Sequence, residues 1–146
     1  MSLRTISTTL LLLSLSLSVS GAAFASPVTD EANLHFKAIA GGDVLLLMRG
    51  YDKDASLQWV GGPLDGVYKG DARLRELWAK FSASQGELEH KVSGLQESAN
   101  AKGSTVTANV EFKGKATIKV RYVLTYRDGK IVNEVWQIDP NLAVGY

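Results

Sequence analysis

The segment from residue 32 to residue 78 constrains the fold of this 146-residue chain more than any other segment does. It contains a helical apolar pattern, a Gly-Gly-Asp break, a second apolar run, a short strand pattern, a Gly/Pro-rich loop and a third helical pattern. Its first apolar stripe consists of Ala32, His35, Phe36 and Ile39, and its last consists of Leu74, Leu77 and Trp78 and continues to Phe81 just after the segment. Because such stripes need an apolar surface to cover, this order predicts helices folded over a curved sheet, with a pocket between the two layers.

The breaks within the segment predict where its elements end. The Gly-Gly pair at 41–42 terminates the first helix, and Asp43 is placed to cap the second. The next predicted elements are a helix over Val44–Met48, a turn over Tyr51–Asp54, a strand over Ser56–Val60 and a loop that carries Tyr68. Asp71 then begins the third helix, where its negative charge favours the helix dipole.

After Gly86 the apolar pattern changes to the period of two that is typical of β-strands. The predicted strands are Glu87–Ser98, Thr105–Phe112, Ala116–Arg127 and Ile131–Asp139. Asp128-Gly129 predicts a tight hairpin turn between the last two strands, because both residues tolerate positive φ. Helices followed by antiparallel strands predict an α+β domain.

The first 25 residues have the pattern of a secretory signal peptide. Arg4 supplies the positive charge, Leu10–Val19 the apolar core and Ala23-Phe24-Ala25 the cleavage motif. The apolar run is too short to span a bilayer, so we expect no stable membrane insertion after cleavage. The sequence therefore predicts a signal peptide over 1–25, a single domain over 26–146 and a periplasmic or secreted product.

Composition narrows the class of partner. Cleavage after Ala25 would leave 121 of the 146 residues, and the loss of Arg4 would reduce the 16 basic residues to 15, against 15 acidic ones. A domain without net charge lacks the positive field that nucleic acid binding needs, so we expect no nucleic acid partner. The chain has no cysteine, and a domain of this size can bury a core without disulfides.

Several short motifs resemble one known superfamily when their order and spacing are taken together. They are Lys37-Ala38-Ile39-Ala40-Gly41-Gly42-Asp43, Trp59, Gly62-Pro63-Leu64, Gly66, Gly70 and Asp128-Gly129-Lys130-Ile131. The pattern resembles the nuclear transport factor 2-like superfamily, and within it the SnoaL-like polyketide cyclases and ketosteroid isomerases. The resemblance implies a cone-shaped fold (also called cystatin-like), in which a strongly bent antiparallel sheet and three helices enclose a hydrophobic pocket.

A comparison with the isomerases, residue by residue, argues against their chemistry. Counting from Asp43, the resemblance places His35 where the isomerases carry an oxyanion-hole tyrosine and Trp59 where they carry the aspartate base. Tyr122 falls where they carry a second, protonated aspartate. Since an indole cannot take a proton from carbon, steroid isomerisation by that mechanism is disfavoured.

Glu134 is the strongest candidate for an acid or base. Strand alternation places Val132, Glu134 and Trp136 on one face and Ile131 and Val135 on the other, and hydrophobicity alone does not decide between them. The resemblance implies that the Glu134 face is turned toward the pocket. An apolar pocket disfavours the charged form of a carboxyl, which would suit an acid or base. The alternative is a carboxylate that pairs with a basic residue or faces solvent.

The two histidines are weaker candidates. His35 lies on the first apolar stripe, and His90 alternates with Leu88 and Val92, so both are expected to point inward. If they reach one cavity, an acid/base pair through His35 and Glu134 becomes credible. No metal-binding spacing is present, so the sequence predicts no metal site and any enzyme would be free of cofactors.

These patterns leave three interpretations of function. The first is a protein that binds a small hydrophobic or aromatic molecule, with Trp59, Tyr68, Trp78, His90 and Trp136 as ligand-binding candidates. The second is an isomerase, cyclase or hydratase-type lyase with Glu134, His35 and Tyr122 as catalytic candidates. The third is a non-catalytic homodimer that pairs through the outer sheet face, with Ile131 and Val135 in the interface.

Overall fold

A computed structural model describes residues 27–145 of the chain, so the predicted signal peptide and its cleavage site lie outside the described residues. The elements are α1 (Pro27–Gly41), α2 (Val44–Gly50), β1 (Tyr51–Val60), β2 (Gly66–Lys69), α3 (Asp71–Gln85), β3 (Glu89–Asn100), β4 (Gly103–Lys113), β5 (Thr117–Arg127) and β6 (Lys130–Ile138). The strands form one sheet in the order β2-β1-β6-β5-β4-β3. All neighbours are antiparallel except β1 and β6, which are parallel. The predicted α+β class, with helices on one face of a curved sheet, is confirmed.

The helices cover the sheet with the stripes that the sequence predicts. All eight residues of the stripes of α1 and α3 are buried. Asp43 caps α2, since its Oδ1 accepts a hydrogen bond from Leu46 N at 2.9 Å. The backbone N–H of Leu88 donates to the carbonyl of Ala40, which ties the end of α1 to the start of β3.

The first strand begins earlier than the sequence pattern predicts. Tyr51–Asp54, predicted as a turn, is the first part of β1, and Tyr51 pairs with Ile131 of β6. The register then shifts before Ser56, so the intervening residues do not follow a regular ladder. The prediction of a turn was wrong because the two aspartates and the lysine lie in this irregular stretch, while Tyr51 itself is buried. The predicted loop around Tyr68 contains the short strand β2.

A bulge in β6 makes the two faces of that strand differ from those that regular alternation predicts. Thr125 pairs with Asn133 and Tyr126 with Ile131, so β6 has one extra residue, Val132, at this point. The extra residue reverses the alternation, and Ile131 lies on the inner face with Glu134, only 1% exposed. The expectation that Ile131 packs a homodimer on the outer face was therefore wrong.

The interior of the cone is filled with aromatic rings. Trp59 of β1 and Trp136 of β6 are Cα partners, and their rings stack with centroids 4.2 Å apart. Phe112 stacks on Trp136 at 5.4 Å, and Trp78 and Phe81 of α3 meet Trp136 edge-on. The space between the helices and the central strands is therefore packed by the protein's own side chains.

Two further features complete the description of residues 27–145. No helix in this part of the chain is long and apolar enough to cross a membrane. The tail after β6 runs across the outer face of the sheet, where Asn109 Nδ2 donates to the carbonyl of Ala143 and Gly145 N donates to Ser93 Oγ.

Candidate functional site

Glu134 is a fully buried carboxyl at the centre of the sheet. It lies on β6 between its Cα partners Leu57 of β1 and Leu124 of β5, and all three residues are 0% exposed. A carboxyl in such surroundings is costly unless its oxygens are hydrogen-bonded. The structure supplies these bonds from two other elements, α1 and the start of β1.

The two carboxyl oxygens of Glu134 have different partners. His35 Nε2 lies 3.2 Å from Oε1, and the hydroxyl of Tyr51 makes a short hydrogen bond to Oε2. Trp78 Nε1 in turn donates to the Tyr51 hydroxyl at 2.9 Å. This network of His35, Glu134, Tyr51 and Trp78 links α1, β6, β1 and α3, so it also holds two helices against the sheet.

The direction of each hydrogen bond follows from the number of protons available. The Tyr51 hydroxyl accepts from Trp78, whose indole N–H can only donate, so its own proton is directed at Glu134. Burial, and then the charge of Glu134, raise the pKa of Tyr51 well above its ordinary value, which keeps this proton in place. Glu134 thus acts as an acceptor, and the simplest arrangement gives the Nε2 proton of His35 to the same carboxylate.

Three polar atoms near this network have no partner among the described residues. They are the hydroxyls of Tyr122 and Tyr126 and the indole Nε1 of Trp136. Burial, followed by the charge of Glu134, raises the pKa of both tyrosines, so both hydroxyls remain protonated donors. A buried polar group without a partner costs about 1–3 kcal/mol, and of these three residues only Tyr126 lines the cavity described next.

One cavity reaches this network from the outside. We call it the His35 cavity; its volume is about 270 Å³, and it lies where the start of α1, the end of α2 and the β5–β6 hairpin meet. Its lining includes His35, Tyr126 and Ile131 inside and Glu31, Arg49 and Lys130 at the rim. Because Nε2 of His35 contacts Glu134, Nδ1 is the nitrogen left to meet a molecule here.

A second, larger cavity lies at the opposite end of the central strands. We call it the Trp59 cavity; its volume is about 520 Å³, and its surface is mostly apolar. Trp59 and Phe81 lie at its inner side, and the other lining residues are Pro63, Leu64, Lys80, Ser84, Gln85, Ala116, Thr117, Ile118, Lys119, Ile138 and Pro140. The indole N–H of Trp59 donates to the carbonyl of Gly61 at 3.0 Å, so the ring has no unpaired polar atom to present to a ligand.

The remaining predicted site residues lie apart from the Glu134 network. Tyr68 is half-buried, and its hydroxyl donates to the carbonyl of Leu64 at 2.7 Å. His90 lies on the edge strand β3 with its ring facing Phe112 at 6.5 Å, yet it is exposed and does not line the cavity that His35 lines. The structure therefore joins His35 to Glu134 but does not bring both histidines into that cavity.

Tyr51 is the site residue that the sequence pattern did not reveal. Alternation back from Trp59 and Leu57 places Tyr51 on the inner face, but Asp52-Lys53-Asp54 between them reads as a turn.

Among residues 27–145, no group of three or more potential metal-ligating side chains is found.

Comparisons with known proteins identify the fold. No protein-family model matches the sequence, and no curated protein matches it. A protein of unknown function with a cystatin-like fold from Nostoc punctiforme is 16% identical, with a TM-score of 0.63 over 81% of this chain and 92% of that chain. A nuclear transport factor 2-like protein from Pseudomonas putida is 15% identical, with a TM-score of 0.67 over 77% of this chain and 84% of that one.

A ketosteroid isomerase-like protein from Erwinia carotovora is similar to a comparable degree. It is 12% identical, with a TM-score of 0.61 over 75% of this chain and 91% of that chain. At these identities the likeness concerns the fold alone. The chain has the nuclear transport factor 2-like, ketosteroid isomerase-like fold that the sequence motifs resemble, built here around a buried aromatic cluster.

Proposed function

We propose that this protein is exported and binds a small hydrophobic or aromatic molecule in the Trp59 cavity. The observation that carries the proposal is the cavity itself, which combines a volume of about 520 Å³ with a mostly apolar lining. Small-molecule sites are apolar clefts of roughly 300–1,000 Å³. This fold hosts both enzymes and binding proteins, so the cavity and not the fold supports the proposal.

The surroundings of Trp59 favour an apolar or aromatic ligand. One side of the ring stacks on Trp136, and the indole N–H is already bonded to Gly61, so the remaining ring surface is hydrocarbon. Ile118 and Ile138 contribute aliphatic walls. An apolar molecule that contacts these groups would gain area burial.

A steric block tests this site with a closely matched control. Ser84 and Ala83 are adjacent exposed residues of α3, but of these two only Ser84 lines the cavity. We expect Ser84→Phe to fill the cavity and weaken ligand binding by about tenfold or more, and Ala83→Phe to leave binding unchanged. Tryptophan fluorescence and thermal shift with steroids, polyketides and aromatic acids measure this. No shift with any compound, or equal binding by both variants, would contradict the proposal.

The proposed export is tested separately. Expression of the full chain in a bacterium, followed by fractionation and intact-mass measurement, should recover a periplasmic protein that begins at Ser26. A cytoplasmic protein that retains Arg4 and the apolar run after it would contradict the predicted cleavage.

A second candidate function is a cofactor-free isomerase, cyclase or hydratase-type lyase. The contact of His35 with the buried Glu134 favours it, because a carboxylate that fixes one imidazole nitrogen makes the other a better proton acceptor. Exchange of α-protons of small ketones in D₂O, followed by NMR, tests this function. Catalysed exchange that Glu134→Gln reduces would support it, whereas exchange at the uncatalysed rate would contradict it.

A further inference from the structure

The His35 cavity contains an unusual combination of an unpartnered donor and a directed imidazole. The Tyr126 hydroxyl is buried and has no hydrogen-bond partner among the described residues, and Tyr126 lines the cavity. His35 lines it too, with Nε2 engaged by Glu134 and Nδ1 left for a ligand. Two polar residues, one from β5 and one from α1, therefore line the same small space.

The rim of this cavity carries two basic side chains and one acidic one. Arg49 comes from the end of α2, Lys130 from the β5–β6 hairpin and Glu31 from α1. The ammonium group of Lys130 also donates to the carbonyl of Arg49 at 2.6 Å, which holds the hairpin against α2. With one more basic than acidic residue, the rim favours the approach of an anion.

We propose that the His35 cavity is a second ligand site that binds a small monocarboxylate together with one proton. The ligand carboxylate accepts one hydrogen bond from the Tyr126 hydroxyl and one from Nδ1–H of a doubly protonated His35. The Nε2–H of the same ring donates to Glu134. This inference does not depend on the Trp59 cavity being a ligand site.

The proton balance explains why such a complex is favourable. A carboxylate that entered alone would place a second negative charge near the buried Glu134, which is costly. When His35 takes up a proton from solvent at the same time, one negative and one positive charge enter together, and the net charge of the site does not change. The imidazolium then lies between two carboxylates and donates one charge-assisted hydrogen bond to each.

The groups around the His35–Glu134 pair are consistent with this balance. The titratable tyrosines are Tyr51 of β1 and Tyr122 and Tyr126 of β5, and burial raises the pKa of each, so all three stay neutral. The charged groups are Arg49, Lys130 and Glu31 at the rim. The proposal therefore assigns the added proton to His35, the imidazole that lines the cavity.

The volume and the apolar lining limit the size of the ligand. About 270 Å³ lies just below the roughly 300 Å³ at which clefts for drug-sized molecules begin. Leu34, Leu46 and Ile131 line the cavity beside the polar groups and provide contacts for a short hydrocarbon or single-ring body. Benzoate is a suitable probe, and benzamide is its uncharged counterpart of the same shape.

Isothermal titration calorimetry with sodium benzoate tests the proposal directly. In buffers of different ionisation enthalpy, we expect an uptake that approaches one proton per benzoate, and an affinity that falls by up to about tenfold per pH unit as the pH rises above neutrality. Benzamide should bind more weakly and without proton uptake. A pH-independent benzoate affinity, or equal binding of benzamide, would overturn the proposal.

A pair of Tyr→Phe variants locates the site. Tyr126 and Tyr122 are both buried on β5 with unpartnered hydroxyls, but of the two only Tyr126 lines the cavity. Tyr126→Phe should weaken benzoate binding about three- to tenfold without loss of stability, because the hydroxyl has no protein partner to lose. Tyr122→Phe should leave benzoate binding unchanged. Equal effects of the two variants would refute the assignment.

Two further variants separate this site from the rest of the protein. Glu31→Gln should strengthen benzoate binding about two- to threefold, since it removes the negative charge from the rim. Ser84→Phe, which fills the Trp59 cavity, should leave benzoate binding intact. If Ser84→Phe abolishes benzoate binding and Tyr126→Phe does not change it, the carboxylate binds at the other end of the sheet and the proposal is wrong.

Discussion

Replacement of Tyr51 by phenylalanine is the most informative perturbation of the buried network. The Tyr51 hydroxyl donates to Glu134 and accepts from Trp78 Nε1, and the residue is 6% exposed. The variant keeps the ring and removes only the oxygen. It therefore removes a hydrogen bond to a charged acceptor and leaves the indole N–H of Trp78 buried without an acceptor.

The expected loss of stability follows from these two effects. A hydrogen bond to a charged group contributes about 1.5–3 kcal/mol, and a buried donor left without a partner costs about 1–3 kcal/mol. Taken together, we expect Tyr51→Phe to reduce the free energy of unfolding by about 4 kcal/mol. In a domain of this size, that corresponds to a fall in Tm of about 15 °C.

Tyr122→Phe is the matched control for this experiment. Tyr122 is also buried, at 0% exposure, and its hydroxyl has no partner among the described residues. The same chemical change should therefore be neutral or stabilise the protein by up to about 1 kcal/mol. Urea denaturation followed by tryptophan fluorescence measures both variants. A Tyr51→Phe variant within about 0.5 kcal/mol of Tyr122→Phe would refute the proposed network.

Three other properties follow from the same structure. Burial raises the pKa of Tyr51, Tyr122 and Tyr126 above the unfolded value of about 10, so the unfolded state releases these protons first and the free energy of unfolding should fall above about pH 10. In Tyr122→Phe, the decrease in the free energy of unfolding with pH, measured by urea denaturation, should be smaller by about 1.4 kcal/mol per pH unit. Burial, and then the nearby Lys37, lower the pKa of His90, so its NMR titration midpoint should lie below the ordinary value of about 6.5 and rise in Lys37→Gln. The bulge turns Ile131 inward, so Ile131→Ala should cost about 2 kcal/mol or more in thermal or chemical denaturation; an unchanged Tm would contradict the role given to the bulge.

The fold was predictable because its signals are local and agree with one another. The apolar stripes of α1 and α3, the Asp43 cap and the Asp128-Gly129 turn each depend on neighbouring residues, and the structure confirms them. Asp128 and Gly129 have φ values of 49° and 74°, as the tight hairpin requires. Such patterns predict elements and their inner faces without knowledge of the tertiary structure.

The features that the sequence did not predict depend on irregular pairing. A single extra residue in β6 reverses which face Ile131 occupies, and alternation alone cannot show where such a bulge lies. Tyr51 follows the inward period of β1 but is separated from it by three polar residues. The contact of His35 with Glu134 joins residues 99 positions apart, so only the folded chain reveals it.

The resemblance implied a hydrophobic pocket enclosed by the helices and the sheet, but the space between these layers is filled by aromatic rings. The rings of Trp59, Trp78, Phe112 and Trp136 fill the interior, and the two cavities described above lie at opposite ends of the central strands. Trp59 is thus part of the packed centre and of the wall of the larger cavity. Trp59, which the resemblance places where the isomerases carry their aspartate base, therefore lines an apolar cavity.

Native mass spectrometry of the protein isolated from its own cells is the most direct test of the proposed binding function. We expect a retained non-protein mass that dissociates on denaturation, is present in Ala83→Phe and is lost in Ser84→Phe. A bare mature chain in every preparation, or a mass that Ser84→Phe retains as well as Ala83→Phe does, would contradict binding in the Trp59 cavity.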